Sequence, residues 1–137
     1  MEIKFRGKRV DNGEWVYGCF IYRYSSLMKK NQCFIVENID FDIRKNWIES
    51  YCAYEVIEET VGQSTDLKDK NGKDIYVTDI LIDKTGRTLY CAFEECQFKI
   101  TDKYGGTIKM TQDFINWFEL EIIGNIFDNK ELLEEIK

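Results

Sequence analysis

The chain has 137 residues, of which 44% are apolar and 32% are charged, and its net charge is −6. This length predicts one domain, which divides at most into lobes at 1–54 and 55–137, and the apolar content excludes a disordered chain. The chain contains no histidine, which excludes imidazole metal ligands and Ser-His or Cys-His nucleophile pairs.

No apolar run reaches the roughly 20 residues that a membrane-spanning helix requires. The N-terminus lacks the basic-then-apolar order of an export signal, so we expect a cytoplasmic protein that does not bind membranes. Five cysteines without a Cys-x-x-Cys pair predict reduced core residues, because zinc sites and secreted disulfide frameworks usually show paired or even-numbered cysteines.

The first part of the chain predicts a β-hairpin followed by further strands. Residues 3–6 alternate apolar and basic side chains, and the turn sequence Asp11-Asn12-Gly13 leads into the aromatic run 14–22. A third strand is predicted at 33–36. The pattern then weakens at 37–50, which we interpret as a long excursion, a loop of the kind that often carries function. Strand character returns at 51–57.

The middle of the chain contains a charged turn that is followed by an apolar strand. Asp69-Lys70-Asn71-Gly72 is typical of a tight hairpin turn, since Asn and Gly tolerate positive φ. The following segment, 75–82, ends in Ile80-Leu81-Ile82, which predicts a strand entering a core. We expect this turn and strand to be the structural hub. Further turns are predicted at 84–86 and 105–106.

The C-terminal part predicts one more core strand and a short helix. Residues 113–120 fit either a helical turn or a strand, and 121–127 fit a core strand. Leu132, Leu133 and Ile136 share one face of a short amphipathic helix. Closely spaced turns between short strands favour a mainly β fold, a small barrel or a sandwich.

Several segments resemble the YopX-like family of phage and prophage proteins. The matching segments are 3–8, 11–18, 60–76 with Asp79-Ile80, and 123–127. The chain departs from the family pattern at Val77 and Thr78 and at Lys130. The resemblance implies a small SH3-type β-barrel with extra N-terminal strands and a short C-terminal helix, a homo-oligomer, and a phage or prophage origin in a bacterial host cell. It transfers no catalytic residue.

No residue pattern indicates a catalytic, metal or cofactor site. If Gly72 took the sixth position of a calcium-binding EF-hand loop, Leu67 and Thr78 would stand where carboxylates are needed. The chain also lacks a phosphate-binding Gly-x-x-x-x-Gly-Lys-Ser/Thr run. We therefore expect a protein that is not an enzyme, with the alternative of a cleft built from carboxylates, Lys or Tyr left open.

A set of basic and aromatic residues forms the candidate interaction surface. These residues are Arg6, Lys8, Trp15, Trp47, Lys68, Lys70 and Lys73. Basic side chains interleaved with aromatic ones suit single-stranded nucleic acid, although the sequence pI of about 4.8 is low for such a module. Trp47 lies in the poorly patterned excursion and is the preferred residue for contact with a partner.

The charges are also unevenly distributed along the chain. Residues 1–9 carry +3, because four basic side chains stand against Glu2, and 113–137 carry −5, because seven acidic side chains stand against Lys130 and Lys137. The two ends could complement each other within one copy or between copies, and salt would weaken such an assembly.

Three functions follow as hypotheses. The first is a non-enzymatic, oligomeric binding or scaffold protein, with a host or phage protein as a possible partner. The second is a module that binds single-stranded nucleic acid through the basic surface. The third is an inhibitor of a host or defence protein that uses the acidic C-terminal end to mimic nucleic acid.

Overall fold

The structure is a computed structural model that describes residues 3–134, except for the side chains of Asn38, Phe41, Ser50 and Glu134. The chain forms two compact units, Glu2–Gln63 and Ser64–Lys137. None of the helices within the described residues is long and apolar enough to cross a membrane.

The N-terminal unit is an antiparallel sheet in the spatial order β4-β3-β2-β1-β5. Its strands are β1 (Phe5–Lys8), β2 (Trp15–Ser25), β3 (Lys30–Asp42), β4 (Trp47–Val56) and the start of β5 (Gly62–Lys68). A short 3-10 turn, Glu58–Thr60, joins β4 to β5. The predicted N-terminal hairpin is confirmed, because β1 pairs with β2 from Phe5↔Gly18 to Lys8↔Trp15.

The prediction of a loop at 37–50 is wrong. Strand β3 continues to Asp42 and pairs with β4, which begins at Trp47, so this segment is a β-hairpin. The register shifts between Glu37 and Asp40 and again before Phe41. These irregularities explain why the alternation in the sequence is broken, since a bulge reverses the face on which the following side chains lie.

The core of the N-terminal unit lies on one face of this sheet. Val16, Cys33, Ile35 and Val56 are buried there, and four partly buried side chains pack against them: Phe5, Phe20, Tyr54 and Val61. Burial and, secondarily, the nearby charges of the acidic residues at 55, 58 and 59 raise the pKa of the Cys33 thiol. Cys33 therefore stays protonated and packs as a small apolar residue.

The C-terminal unit contains an open, five-stranded antiparallel sheet in the order β10-β9-β8-β7-β11. Its elements are the rest of β5, β6 (Asp74–Tyr76), β7 (Asp79–Ile82), β8 (Thr88–Glu94), β9 (Gln97–Thr101), β10 (Thr107–Lys109), α1 (Gln112–Phe118), β11 (Glu121–Asn125) and α2 (Glu131–Glu134). Residues 113–120 are mostly helical, with Thr111 as the N-cap. Ile136 lies outside the described residues.

The predicted hub is confirmed as a core element. Strand β7 lies between β8 and β11, and its Ile80 and Leu81 are fully buried. The Asp69–Gly72 turn joins β5 to β6, as the sequence predicts. The mainly β fold with a short C-terminal helix is likewise confirmed, and its two antiparallel sheets do not close into a barrel.

Three turns of the C-terminal unit share one sequence and one hydrogen-bonding pattern. Each reads Asp-Lys-x-Gly-x and begins at Asp69, Asp83 or Asp102. In each turn, Oδ1 of the aspartate accepts from the backbone N–H groups two and four residues later, at 2.8–2.9 Å. The glycine N–H also donates to the aspartate carbonyl. One local solution to satisfying turn donors is therefore used three times.

The side chain of Asp83 is almost completely enclosed, with only 1% of it exposed. Besides the two backbone donors, it accepts from Thr85 Oγ1 at 2.6 Å and from Arg87 Nε at 3.1 Å. Burial raises the pKa of Asp83, but the hydrogen bonds from Thr85 and Arg87 together outweigh burial and hold the pKa below its ordinary value. The turn is therefore stabilised by the ionised carboxylate.

We predict that Asp83→Asn lowers the free energy of unfolding by about 1–3 kcal/mol at pH 7, because an amide cannot accept from all four donors. The pKa of Asp83 is lower in the folded state than in the unfolded state, where it is about 3.9. The stabilisation is therefore fully present above the unfolded-state pKa and is lost as the pH falls through the folded-state pKa. Urea unfolding at pH 7 and pH 3 measures the difference between wild type and variant, which shrinks at pH 3.

Asp102→Asn is the matched control, because Asp102 heads the same turn in a more exposed position. Its loss of stability should be smaller than that of Asp83→Asn. Equal losses in the two variants, or a difference that does not change with pH, would contradict the role of the buried carboxylate.

Candidate functional site

Strands β2, β3 and β4 carry apolar side chains on both faces of the sheet. One row of residues that pair across the three strands belongs to the buried core: Phe20, Ile35 and Tyr54. Side chains alternate along a strand, so their neighbours project from the opposite face. There, Cys19, Val36 and Ala53 form the corresponding row across the three strands.

The second face forms an open groove of about 840 Å³, which we name the β2–β4 groove. Its lining residues are Cys19, Ile21 and Arg23 of β2, Phe34, Val36 and Ile39 of β3, and Asn46, Trp47, Ile48, Tyr51 and Ala53 on or next to β4. Trp47 and Tyr51 are 66% and 65% exposed. Antiparallel sheets usually present polar side chains on their solvated face, so a large apolar surface here indicates an interaction site.

The β2–β4 groove carries very little charge. Among its described lining residues, Arg23 alone is charged. Close by, on the β3–β4 hairpin, Lys45 Nζ lies 3.0 Å from Glu49 Oε1, so these two charges compensate each other. The groove therefore offers apolar contact area and aromatic rings and no cluster of acids or bases for catalysis.

Gly18 permits the close approach of β2 and β3 beside the groove. A Cβ atom at this position would lie 2.2 Å from the backbone oxygen of Val36. Backbone oxygen cannot move away without disturbing the strand, so only glycine fits. Cys19 and Val36, which flank this contact, both line the groove.

We predict that Gly18→Ala destabilises the N-terminal unit by more than Gly13→Ala does. Gly13 also has positive φ, but nothing lies within 4 Å of a Cβ placed there, so its substitution carries mainly backbone strain of about 1–2 kcal/mol. Comparing the urea unfolding of the two variants isolates the contact with Val36. Equal destabilisation would show that the strands can separate at no cost.

The basic residues predicted in the first hairpin all lie in the N-terminal unit around Trp15. Arg6 is 6% exposed, and its guanidinium carbon lies 4.7 Å from the centre of the Trp15 ring. Lys8 Nζ is 5.7 Å from the same ring. Arg6 is therefore engaged in the interior of the unit, where it is poorly placed to contact a phosphate backbone.

The other predicted basic residues lie in the C-terminal unit, and two of them are paired with acids. Lys68 forms an ion pair with Asp74, and Lys70 Nζ lies 3.3 Å from Glu121 Oε2. Lys73 is exposed at the end of the Asp69 turn. These pairs reduce the charge that this surface could offer to nucleic acid, and the basic surface stays a prediction.

Asp69, the acid weighed as a calcium ligand, accepts hydrogen bonds from the backbone through both oxygens. Oδ1 accepts from the N–H groups of Asn71 and Lys73 in its own turn, and Oδ2 accepts from Ile122 N–H at 3.1 Å. Among the side chains that the structure describes, no three Cys, Asp or Glu residues group together to hold a metal.

The expectation that all five cysteines are core residues is wrong for three of them. Cys33 and Cys91 are buried, whereas Cys19, Cys52 and Cys96 are exposed. Cys19 lines the β2–β4 groove, and the others lie outside it. Sequence patterning does not separate the buried from the exposed cysteines, because Cys19 and Cys52 stand in strands whose two faces both carry apolar residues.

Trp47 is the one predicted interaction residue that lies in the groove. The other groove residues escaped the sequence analysis for a physical reason. Alternation identifies which side chains share a face, but an apolar second face looks like part of a fully buried strand.

Comparisons with known proteins agree with this fold. A family model described as YopX protein matches residues 4–134. The structure is similar to the crystal structure of protein EF1440 from Enterococcus faecalis, with a TM-score of 0.58 and 19% identity over 97% of this chain and 99% of that chain. This likeness shows a common fold alone. No curated protein matches the chain.

Proposed function

The chain belongs to the YopX protein family, and from this premise we propose that it is a non-enzymatic, oligomeric binding protein. Copies of the chain associate through the β2–β4 groove and form a scaffold in the bacterial cytoplasm for phage or prophage functions. The observation that carries this proposal is the apolar groove with its exposed Trp47 and Tyr51.

The openness of the groove favours a protein surface over a small molecule as its occupant. Pockets for small ligands usually enclose 70–90% of the ligand. In the β2–β4 groove, the two aromatic side chains on β4 are about two-thirds exposed, so they stand at the surface and do not enclose a cavity. Exposed aromatic residues of this kind are typical anchors of protein interfaces.

The low charge of the groove favours a second copy as the partner. Two copies of a chain with net charge −6 repel each other over most of their surface. A face with Arg23 as its one charged lining residue among those described is where they can meet at the lowest electrostatic cost. A symmetric contact then buries the same apolar patch on both copies.

The non-enzymatic role is supported by how the acids of the C-terminal unit are used. Asp69 and Asp83 direct their oxygens at backbone and side-chain donors within their own turns or at Ile122 N–H. A carboxylate that serves as a turn acceptor is not free to act as a general base.

We predict that wild-type protein is oligomeric at micromolar concentration and that Trp47→Ser with Tyr51→Ser raises the dissociation constant at least tenfold. The double variant removes the two largest exposed side chains of the groove without adding charge. Light scattering coupled to size-exclusion chromatography measures the mass. Trp117→Ser is the matched control, since Trp117 is 69% exposed but lies outside the groove.

A salt titration separates this assembly from one held by the oppositely charged chain ends. Apolar association should persist or strengthen between 0.05 and 0.5 M salt, on the order of the range over which ion pairs are strongly screened. An oligomer that dissociates with rising salt, or one that the Trp117 variant weakens equally, would contradict the groove as the contact surface.

A further inference from the structure

Strand β4 is an edge strand, and part of its outer edge has no partner. Beyond residue 54 this edge is covered, because Val10 N–H donates to the Glu55 carbonyl and Ile57 N–H donates to the Lys8 carbonyl. Among the described residues, none pairs with the outer edge of β4 between Trp47 and Tyr54.

The hydrogen bonds at residues 55 and 57 show in which direction the unpaired backbone groups of β4 point. Since the Glu55 carbonyl and the Ile57 N–H both point to the outer edge, and backbone groups alternate along a strand, the N–H groups of Tyr51 and Ala53 also point outward. Those of Cys52 and Tyr54 point toward β3. Tyr51 and Ala53 are therefore donors that a further strand could bind.

Part of this edge lacks the features that usually prevent strand pairing. Proteins protect edge strands with lysine or other charges, proline, β-bulges or very short strands. Strand β4 has 10 residues, of which none is Lys or Pro, and its register shift and Glu49 lie before residue 50. The edge strand β10 of the other sheet, by comparison, has only three residues and ends in Lys109. A further strand can therefore pair with β4 in the stretch from Tyr51 to Tyr54.

We propose that β4 pairs antiparallel with β4 of a second copy across a two-fold axis, which joins the two sheets into one. This inference rests on the proposed function and specifies which backbone groups hold the copies together. The partner is a second copy because the groove that borders this edge has Arg23 as its one charged lining residue among those described, so two acidic copies can approach each other here with little repulsion. The pairing brings the β4 sides of both grooves next to each other on one face of the joined sheet.

The register of β4 shifts at Glu49, because Ser50 and Ile48 pair with the successive residues Asp40 and Phe41. Regular alternation therefore runs from residue 50 to residue 54, and we place the two-fold axis near residue 52. With this centre, Tyr51 of one copy stands opposite Ala53 of the other, and residues of equal parity face each other, so both grooves lie on the same face of the joined sheet.

The first test follows backbone amide hydrogen exchange at single-residue resolution in the wild-type protein at low and high concentration. The amides of Tyr51 and Ala53 should exchange at least tenfold more slowly at the concentration where the protein is oligomeric. Those of Cys52 and Tyr54, which already point toward β3, should change much less. Contact through side chains alone would leave Tyr51 and Ala53 as fast as in the monomer.

The second test uses Cys52→Lys, which adds an edge-protecting lysine. Cys52 is exposed and is not among the groove residues, so the groove is left intact. We expect the dissociation constant to rise at least tenfold. Thr107→Lys on the exposed edge strand β10 is the matched control and should leave association unchanged. Protected core amides in β3 serve as the check that each variant is folded.

The outcomes separate the two proposals. An oligomer with rapidly exchanging Tyr51 and Ala53 amides, which Cys52→Lys does not weaken, overturns edge pairing and leaves groove-mediated assembly standing. A wild-type protein that stays monomeric at every concentration overturns both.

Discussion

Apolar side chains on both faces of one sheet are the physical constraint on which the N-terminal unit depends. On one face, Phe5 of β1, Phe20 of β2 and Val61 pack against the buried cluster that contains Ile35. The opposite face has the same apolar character but forms the open β2–β4 groove. Burying apolar surface stabilises a protein by roughly 25 cal/mol per Å², so this exposed face represents free energy that association can recover.

The C-terminal unit buries the apolar side chains of its sheet within one copy. Helix α1 places Ile115, Phe114 and Phe118 against the core that contains Leu81 and Leu89. Its turns are sealed locally, because Asp69 and Asp83 each accept several hydrogen bonds. This unit therefore has a core packed against α1 and turns whose aspartates are hydrogen-bonded, which suits a stable framework. The surface that we propose for binding lies in the other unit.

Local sequence signals predicted most of the fold. The turns at Asp11–Gly13 and Asp69–Gly72 and the core strand β7 lie where propensity and alternation place them. The repeated Asp-Lys-x-Gly turn was present in the sequence, but its shared hydrogen bonding became evident only from the structure. The hairpin at 37–50 could not be predicted, because its bulges break the alternation on which a strand prediction relies.

The candidate site was only partly predictable for a different reason. Trp47 stood out as an aromatic residue in a weakly patterned segment, yet its neighbours in the groove come from three strands and share a face only through pairing. The basic residues were conspicuous in the sequence, but their partners are distant along the chain. Lys70, for example, pairs with Glu121.

Surfaces that carry ion pairs and the apolar β2–β4 groove therefore suit different roles. Exposed ion pairs such as Lys70–Glu121 contribute little free energy, about 0–1 kcal/mol, and salt screens them. They keep an acidic chain dispersed without directing it to a specific partner. The β2–β4 groove contains no such compensation and little charge, so specificity at this face depends on shape, on the aromatic side chains of β4 and on the direction of its free backbone groups. The proposed self-association draws on that combination, because a groove with little charge next to an open strand edge is matched by the same groove and edge in another copy.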